Sequence, residues 1–207
     1  MIGDSKKDLV VLVPDSNTES AVRVILSRPQ ALGIRDGISF EVFKHPRHDP
    51  GVFAEAPDFL RPLQNFYDYA LVMLDREGSG QERLSARQIE VDIQRRLDSS
   101  GWKGRSAVVV LDPELEIWVF SDSPEVIKIV ADGDRELYRR ILNSVPKTHL
   151  HKPERPKEVL EEILKKKHIA RSSALYGQLA ERVSFARCQD TSFNRFKSIL
   201  QGWFPRR

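Results

Sequence analysis

A single cysteine, Cys188, stands among 207 residues, which excludes an intramolecular disulfide and any zinc site built from several thiolates. Its simplest role is that of a small buried apolar side chain. No run of about 18 apolar residues occurs, so no transmembrane helix is expected. Lys6 and Lys7 precede an apolar stretch, but that stretch runs only from Leu9 to Val13. It is too short for a signal-peptide core and no small-residue cleavage site follows it, so a cytoplasmic location is expected, with no membrane partner. Internal repeats and low-complexity segments are also missing. Gly78-Ser79-Gly80 lacks the Lys-Ser/Thr ending of a phosphate-binding loop, which leaves it as a flexible turn.

What is present is an ordinary globular balance, 40% hydrophobic and 30% charged, too apolar for a disordered chain. The net charge of +3 conceals an asymmetry. Residues 1–150 carry 20 Lys/Arg against 24 Asp/Glu, a net of −4, whereas residues 151–207 carry 13 against 6, a net of +7. A basic tail on an acidic body suits polyanion binding, through Lys165, Lys166, Lys167, Arg171 and the terminal Arg206 and Arg207. A solvated lysine-rich helix surface accounts for the same residues.

Short apolar runs alternate with helical periodicity over the first 130 residues. Leu9–Val13, Ile38–Phe43, Tyr69–Leu74 and Ala107–Leu111 read as strands, the first and last buried on both faces. Ser16-x-x-Glu19 has the spacing of a capping box ahead of a helix striped by Val22, Ile25 and Leu26. His45–Gly51 reads as a proline-bearing loop, Phe53–Phe66 as a helix interrupted at Pro57 and Pro62, and Ser85–Leu97 as an amphipathic helix. Strand–helix alternation predicts an α/β fold, a mainly parallel sheet flanked by helices. Beyond Pro124, placed to open a helix after Ser123, everything reads as helical. Val145–Pro156 resembles a linker, and three apolar stripes follow, the last through Phe193, Phe196, Leu200 and Trp203. The expected division is residues 1–145 for the α/β domain and 146–207 for a basic helical extension.

Three of the four strands end in acid: Asp15 after the first, Asp75 and Glu77 after the third, Asp112, Glu114 and Glu116 after the fourth. In open parallel sheets the functional crevice lies beyond the carboxyl ends of the strands. Carboxylates gathered there repel one another unless a divalent cation neutralises them, and Mg²⁺ or Mn²⁺ with oxygen ligands suits phosphodiester chemistry. Aspartate is also common at strand ends because it favours turns, and Glu19 has a simple role in the capping box. Both readings stand on sequence alone.

Leu71-Val-Met-Leu-Asp75-Arg-Glu77-Gly78, followed by Asp112-Pro-Glu114-Leu-Glu116-Ile-Trp118-Val-Phe-Ser-Asp122, resembles the small Toprim-like proteins of bacterial defence islands. The likeness is to the Toprim-like component of methylation-associated defence systems, relatives of the nuclease domain of overcoming-lysogenization-defect proteins. It covers roughly residues 8–130. The resemblance implies a Toprim-like, Rossmann-like fold and Mg²⁺-dependent action on DNA within an anti-phage or restriction-type defence system, alongside other defence-system proteins. Carried over by position, Asp75 and Glu77 take the places of the family's Asp-x-Asp, and Glu116, with Glu114 beside it, takes that of the later glutamate. The first motif departs: where the family has Glu-Gly this chain reads Pro14-Asp15, leaving Asp15 or Glu19 as substitutes. The resemblance therefore implies Asp75, Glu77 and Glu19 as catalytic and Asp75, Glu77, Glu114, Glu116 and Asp15 as metal ligands. No tyrosine has the setting of a topoisomerase nucleophile.

Arg76, Arg83 and Arg87 near the Gly-rich turn are candidates for phosphate contact, Arg76 and Arg83 joining the three lysines as the nucleic-acid set. His45, His48 and Asp49 form a second possible metal cluster. Trp203 and Phe204 are placed for base stacking or, as their helical stripe suggests, for the core. Two functions follow: a metal-dependent endonuclease, or a catalytically degenerate scaffold that docks a partner ATPase, methyltransferase or nuclease. The missing first-motif glutamate favours the scaffold and the retained later acids favour the enzyme.

Overall fold

The computed structural model describes residues 6–121, 123–186 and 188–206. Asp122 of the second acidic motif and Arg207 of the basic tail lie outside them. Four strands, β1 (Lys7–Val13), β2 (Phe40–Lys44), β3 (Tyr67–Asp75) and β4 (Ser106–Leu111), form one sheet. All pairings are parallel, in the order β2-β1-β3-β4. The helices between them are α1 (Ser16–Leu26), α2 (Pro29–Leu32), α3 (His48–Leu60) and α4 (Ala86–Leu97). After β4 come α5 (Pro124–Val130), α6 (Arg135–Asn143), α7 (Pro156–Lys166), α8 (Ser173–Arg182) and α9 (Thr191–Trp203). The expected α/β architecture with C-terminal helices is the one observed.

The middles of β1, β3 and β4 are apolar because both faces are covered, and the strand period of two sorts side chains into two cores. Leu9, Val11, Val13, Leu71, Met73 and Val109 point into one core with α1 and the C-terminal helices. Val10, Leu12, Val72, Leu74, Val108 and Val110 point into the other with α3 and α4. The C-terminal helices therefore share a core with the sheet. α8 packs on α1, α9 touches β4 and α2, and Trp203 stacks on Tyr69 at 4.7 Å. Trp203 and Phe204 are packing residues: Phe204 is buried and meets the Tyr69 ring edge-on.

Several local expectations change. Asp15, not Ser16, caps α1, its carboxylate accepting from the Thr18 amide at 2.8 Å, so the Ser16–Glu19 box does not form. The His45–Gly51 loop is shorter than expected because α3 begins at His48, and Pro57 sits inside that helix. A proline there removes the amide that would meet the Phe53 carbonyl. Arg96 supplies the replacement donor at 2.7 Å. The presumed linker is pinned. Lys147 pairs with Pro153 in a β-bridge, and Lys152 is buried, donating to the Ile117 carbonyl at 2.6 Å and approaching Asp190 at 3.4 Å.

On each edge strand some of the outward backbone groups are taken by side chains, a device that hinders edge-to-edge pairing. Arg23 donates to the Val42 carbonyl of β2 at 2.6 Å. On β4 a buried Glu90 accepts from the Val110 amide at 3.3 Å, while Arg195 donates to the Val108 carbonyl at 3.1 Å and pairs with Glu90 at 2.9 Å.

Candidate metal centre

The chain runs from β1 outward to β2 and then returns past β1 to β3. The connections from β1 and β3 thus leave in opposite directions, and a crevice opens between their carboxyl ends. Because every strand is parallel, all four deliver their following residues to this one edge. Asp15 follows β1, Asp49 opens the helix after β2, Asp75 ends β3, and Glu114 and Glu116 follow β4 on a short 3₁₀ turn, Leu115–Trp118. Asp15, Asp49, Asp75, Glu77, Glu114 and Glu116 line a single cleft of about 380 Å³ there.

Asp75, Glu114 and Glu116 form its centre, each offering a carboxylate oxygen within 4.8 Å of the others. Glu114 and Glu116 are buried, and Asp75 keeps part of its surface open, although its Oδ1 is sealed from solvent with no hydrogen-bond partner among the described residues. A buried carboxylate oxygen without a donor is costly, because its desolvation goes uncompensated. Asp49 lies directly behind, its Oδ1 accepting from the Asp75 amide at 2.7 Å.

The electrostatics follow from crowding and burial. Desolvation, then the neighbouring charges of Asp49 and Glu116, push the Asp75 carboxyl well above the usual range. Burial raises Asp49 to about 6 against the opposing hydrogen bond from Asp75, and Asp15 adds to the rise. Glu114 rises to about 7 for the same reasons, burial first and Glu116 second, opposed by the Lys157 amide that donates to it at 3.0 Å. Glu116 accepts from Arg171 at 2.6 Å and from the Tyr176 hydroxyl.

The remaining sequence-predicted residues divide. Glu77 is exposed at the rim, its amide bonded to the Pro113 carbonyl, and stands outside the close trio. Asp15 reaches the cleft but spends one oxygen on capping α1. Glu19 is not among the lining residues and pairs with Arg23 at 2.9 Å, one turn along α1, so the structure does not bring this candidate catalytic residue to the cleft. Arg76 turns to Asp112 at 2.7 Å and to the Glu82 carbonyl, and Arg83 is exposed; neither lines the cleft. The amides of Gly78 and Gly80 are taken by the Glu82 carboxylate at 3.0 Å each.

Lys165, Lys166 and Lys167 sit at the C-terminal end of α7, whereas Lys157 near its N-terminus meets Glu114. None of the three lysines is among the residues that line the cleft. Lys165 and Lys166 are exposed and Lys167 pairs with Asp134 at 3.5 Å. The proposed His45–His48–Asp49 cluster does not assemble. His45 is buried between the Arg47 amide on Nδ1 and Glu55 at 3.3 Å on Nε2, while Asp49 joins the acidic cleft instead. Asp49 escaped sequence reasoning because its histidine neighbours suggested a different partner set. Tyr176 and Lys157, far along the chain, left no local signal.

No family model, curated protein or solved structure matches this chain. The site therefore rests on its own chemistry: three convergent carboxylates, an orphaned buried oxygen and an all-oxygen donor set, which fits a hard divalent cation. Among the described residues, no helix is long and apolar enough to cross a membrane.

Proposed function

We propose that this protein is a Mg²⁺- or Mn²⁺-dependent nuclease of the Toprim-like kind, acting on DNA phosphodiesters within a bacterial anti-phage or restriction-type defence system. One observation carries the reading: Asp75, Glu114 and Glu116 converge at the sheet's switch point with Asp75 Oδ1 buried and unpartnered. Asp75, Glu114 and Glu116 hold the ion, with Asp15 and Glu77 at the rim. The ion, when bound, supplies a Lewis acid for phosphoryl oxygens and makes water beside it more acidic. Asp49 fixes the Asp75 backbone, and Glu77, exposed beside the trio, is placed to accept a proton. The test pairs Mn²⁺ titration with plasmid nicking. Wild-type protein is expected to bind Mn²⁺ and nick in its presence, and Asp75→Asn to lose both; a wild type that takes up no ion overturns the reading.

A second reading has its own support. Glu116 and Glu114 already have the cationic partners Arg171 and Lys157, and Glu19 lies outside the cleft, as suits a fold kept as a scaffold for a partner ATPase, methyltransferase or nuclease. It requires Asp75→Ala to fold, copurify with its neighbours and protect against phage as the wild type does.

A further inference from the structure

Among the described residues two cations reach the acidic trio, and they differ in kind. Lys157 stands 3.9 Å from Glu114 with its side chain 44% exposed, a loose contact across solvent. Arg171 makes a charge-assisted bond of 2.6 Å to Glu116, whose side chain is only 2% exposed. Its Nε also donates to the Tyr176 hydroxyl at 2.8 Å, and Tyr176 in turn donates to the same Glu116 oxygen. In the metal-free protein this guanidinium is the counter-charge that makes a buried Glu116 tolerable.

Arg171 is also placed to leave. It lies in the short connection between α7 and α8, where His168 adopts a left-handed backbone (φ 54°). Its other arm, Nη1, approaches Glu161 at 3.7 Å, a carboxylate 49% exposed on the outer part of the same cleft. Tyr176, by contrast, is buried on α8, with its hydroxyl donating to Glu116. Eight carboxylates and three cations line the cleft, so a departing guanidinium has acidic landing points at hand.

We propose that Arg171 is the resident counter-cation of the metal centre: it occupies Glu116 while no ion is bound and yields that carboxylate, swinging toward Glu161, when a divalent cation enters. The inference rests on the metal reading above and adds that ion entry competes with a built-in arginine. Removing Arg171 leaves Glu116 buried and uncompensated, which destabilises the empty protein and strengthens its demand for a cation.

Calorimetric Mn²⁺ titration of the full chain tests this, with melting temperature as a second readout. Arg171→Ala is expected to melt lower than wild type without metal and to bind Mn²⁺ about tenfold more tightly, as follows from losing one charge-assisted contact. Lys157→Ala removes an equal charge from the same cleft without touching Glu116, and is expected to gain less than about threefold, in keeping with a half-exposed pair. Arg171→Gln, which can still donate to Glu116, carries the test should the alanine variant fail to fold, and its Mn²⁺ affinity is also expected to exceed wild type. Equal or weaker Mn²⁺ binding by the Arg171 variants beside a binding wild type overturns the counter-cation while leaving the metal centre standing. A gain no larger than that of Lys157→Ala also overturns it, reducing the effect to general charge. Failure of wild type and every variant to take up Mn²⁺ overturns both.

Discussion

The two ends of the sheet carry the same residue types in opposite circumstances. At the amino end Asp8 and Glu41 both meet donors. Asp8 accepts from the Ser39 amide at 2.7 Å and from its hydroxyl at 2.9 Å, and pairs with Arg35. Glu41 accepts from Lys7 and Tyr67, bonds that hold its carboxyl below the usual range. At the carboxyl end the acids face one another, and Asp49, Asp75 and Glu114 are pushed upward by burial and by like charge. A protein that pairs Asp8 and Glu41 at one end and crowds its acids together at the other is spending stability on the second. Such local cost is typical of functional sites.

Breaking the acidic end has the largest consequence. Asp75→Asn is expected to weaken Mn²⁺ binding about 100-fold or more, since it removes a central ligand and its charge; titration measures this directly. The next effect is on stability. Asp49 and Glu114 have folded values of about 6 and 7, above their ordinary 3.8 and 4.5. The folded form therefore binds more protons than the unfolded between those limits, and its advantage, complete below about pH 4, is lost as pH rises through 6 and 7. Urea unfolding of the metal-free protein should show stability falling from pH 5 to pH 8, and Asp49→Asn with Glu114→Gln should flatten that fall by about 1–3 kcal/mol. Glu41→Gln tests the opposite end with the opposite sign. A lowered carboxyl contributes stability above its unfolded value and loses it in acid, here by less than about 0.5 kcal/mol because the pair is exposed.

Between these lies the β4 edge. Arg195→Ala frees the Val108 carbonyl and leaves Glu90 buried without its closest cation. A loss of about 1–3 kcal/mol and concentration-dependent association, read by denaturation and sedimentation, are expected. The smallest effect on the site belongs to the lysine cluster. Replacing Lys165, Lys166 and Lys167 with alanine should leave Mn²⁺ affinity within about twofold at physiological salt, because none of them lines the cleft, Lys165 and Lys166 are solvent-screened and Lys167 already pairs with Asp134.

The strands were legible because buried parallel strands are continuous apolar runs, and β1 and β4 begin within two residues of their sequence-predicted starts. The acids at their ends were legible for the same reason: parallel strands must all present their carboxyl ends to one edge. Glu19 was misplaced because a capping-box spacing and a site spacing look alike along a chain, and only the helix geometry shows Asp15 taking the cap. The tail's apolar stripes call for a partner, other helices or the sheet, but do not name the surface they cover.

Composition and periodicity alone determined a parallel α/β sheet with acid-bearing loops, since these depend on residue patterns only a few positions long. Tertiary structure decided which acids meet, that Asp49 joins Asp75, and that Arg171 and Tyr176, some 55 and 60 positions from Glu116, close over it. Contacts of that range depend on how helices dock, and docking is governed by packing across the whole core, not by any local stretch of chain.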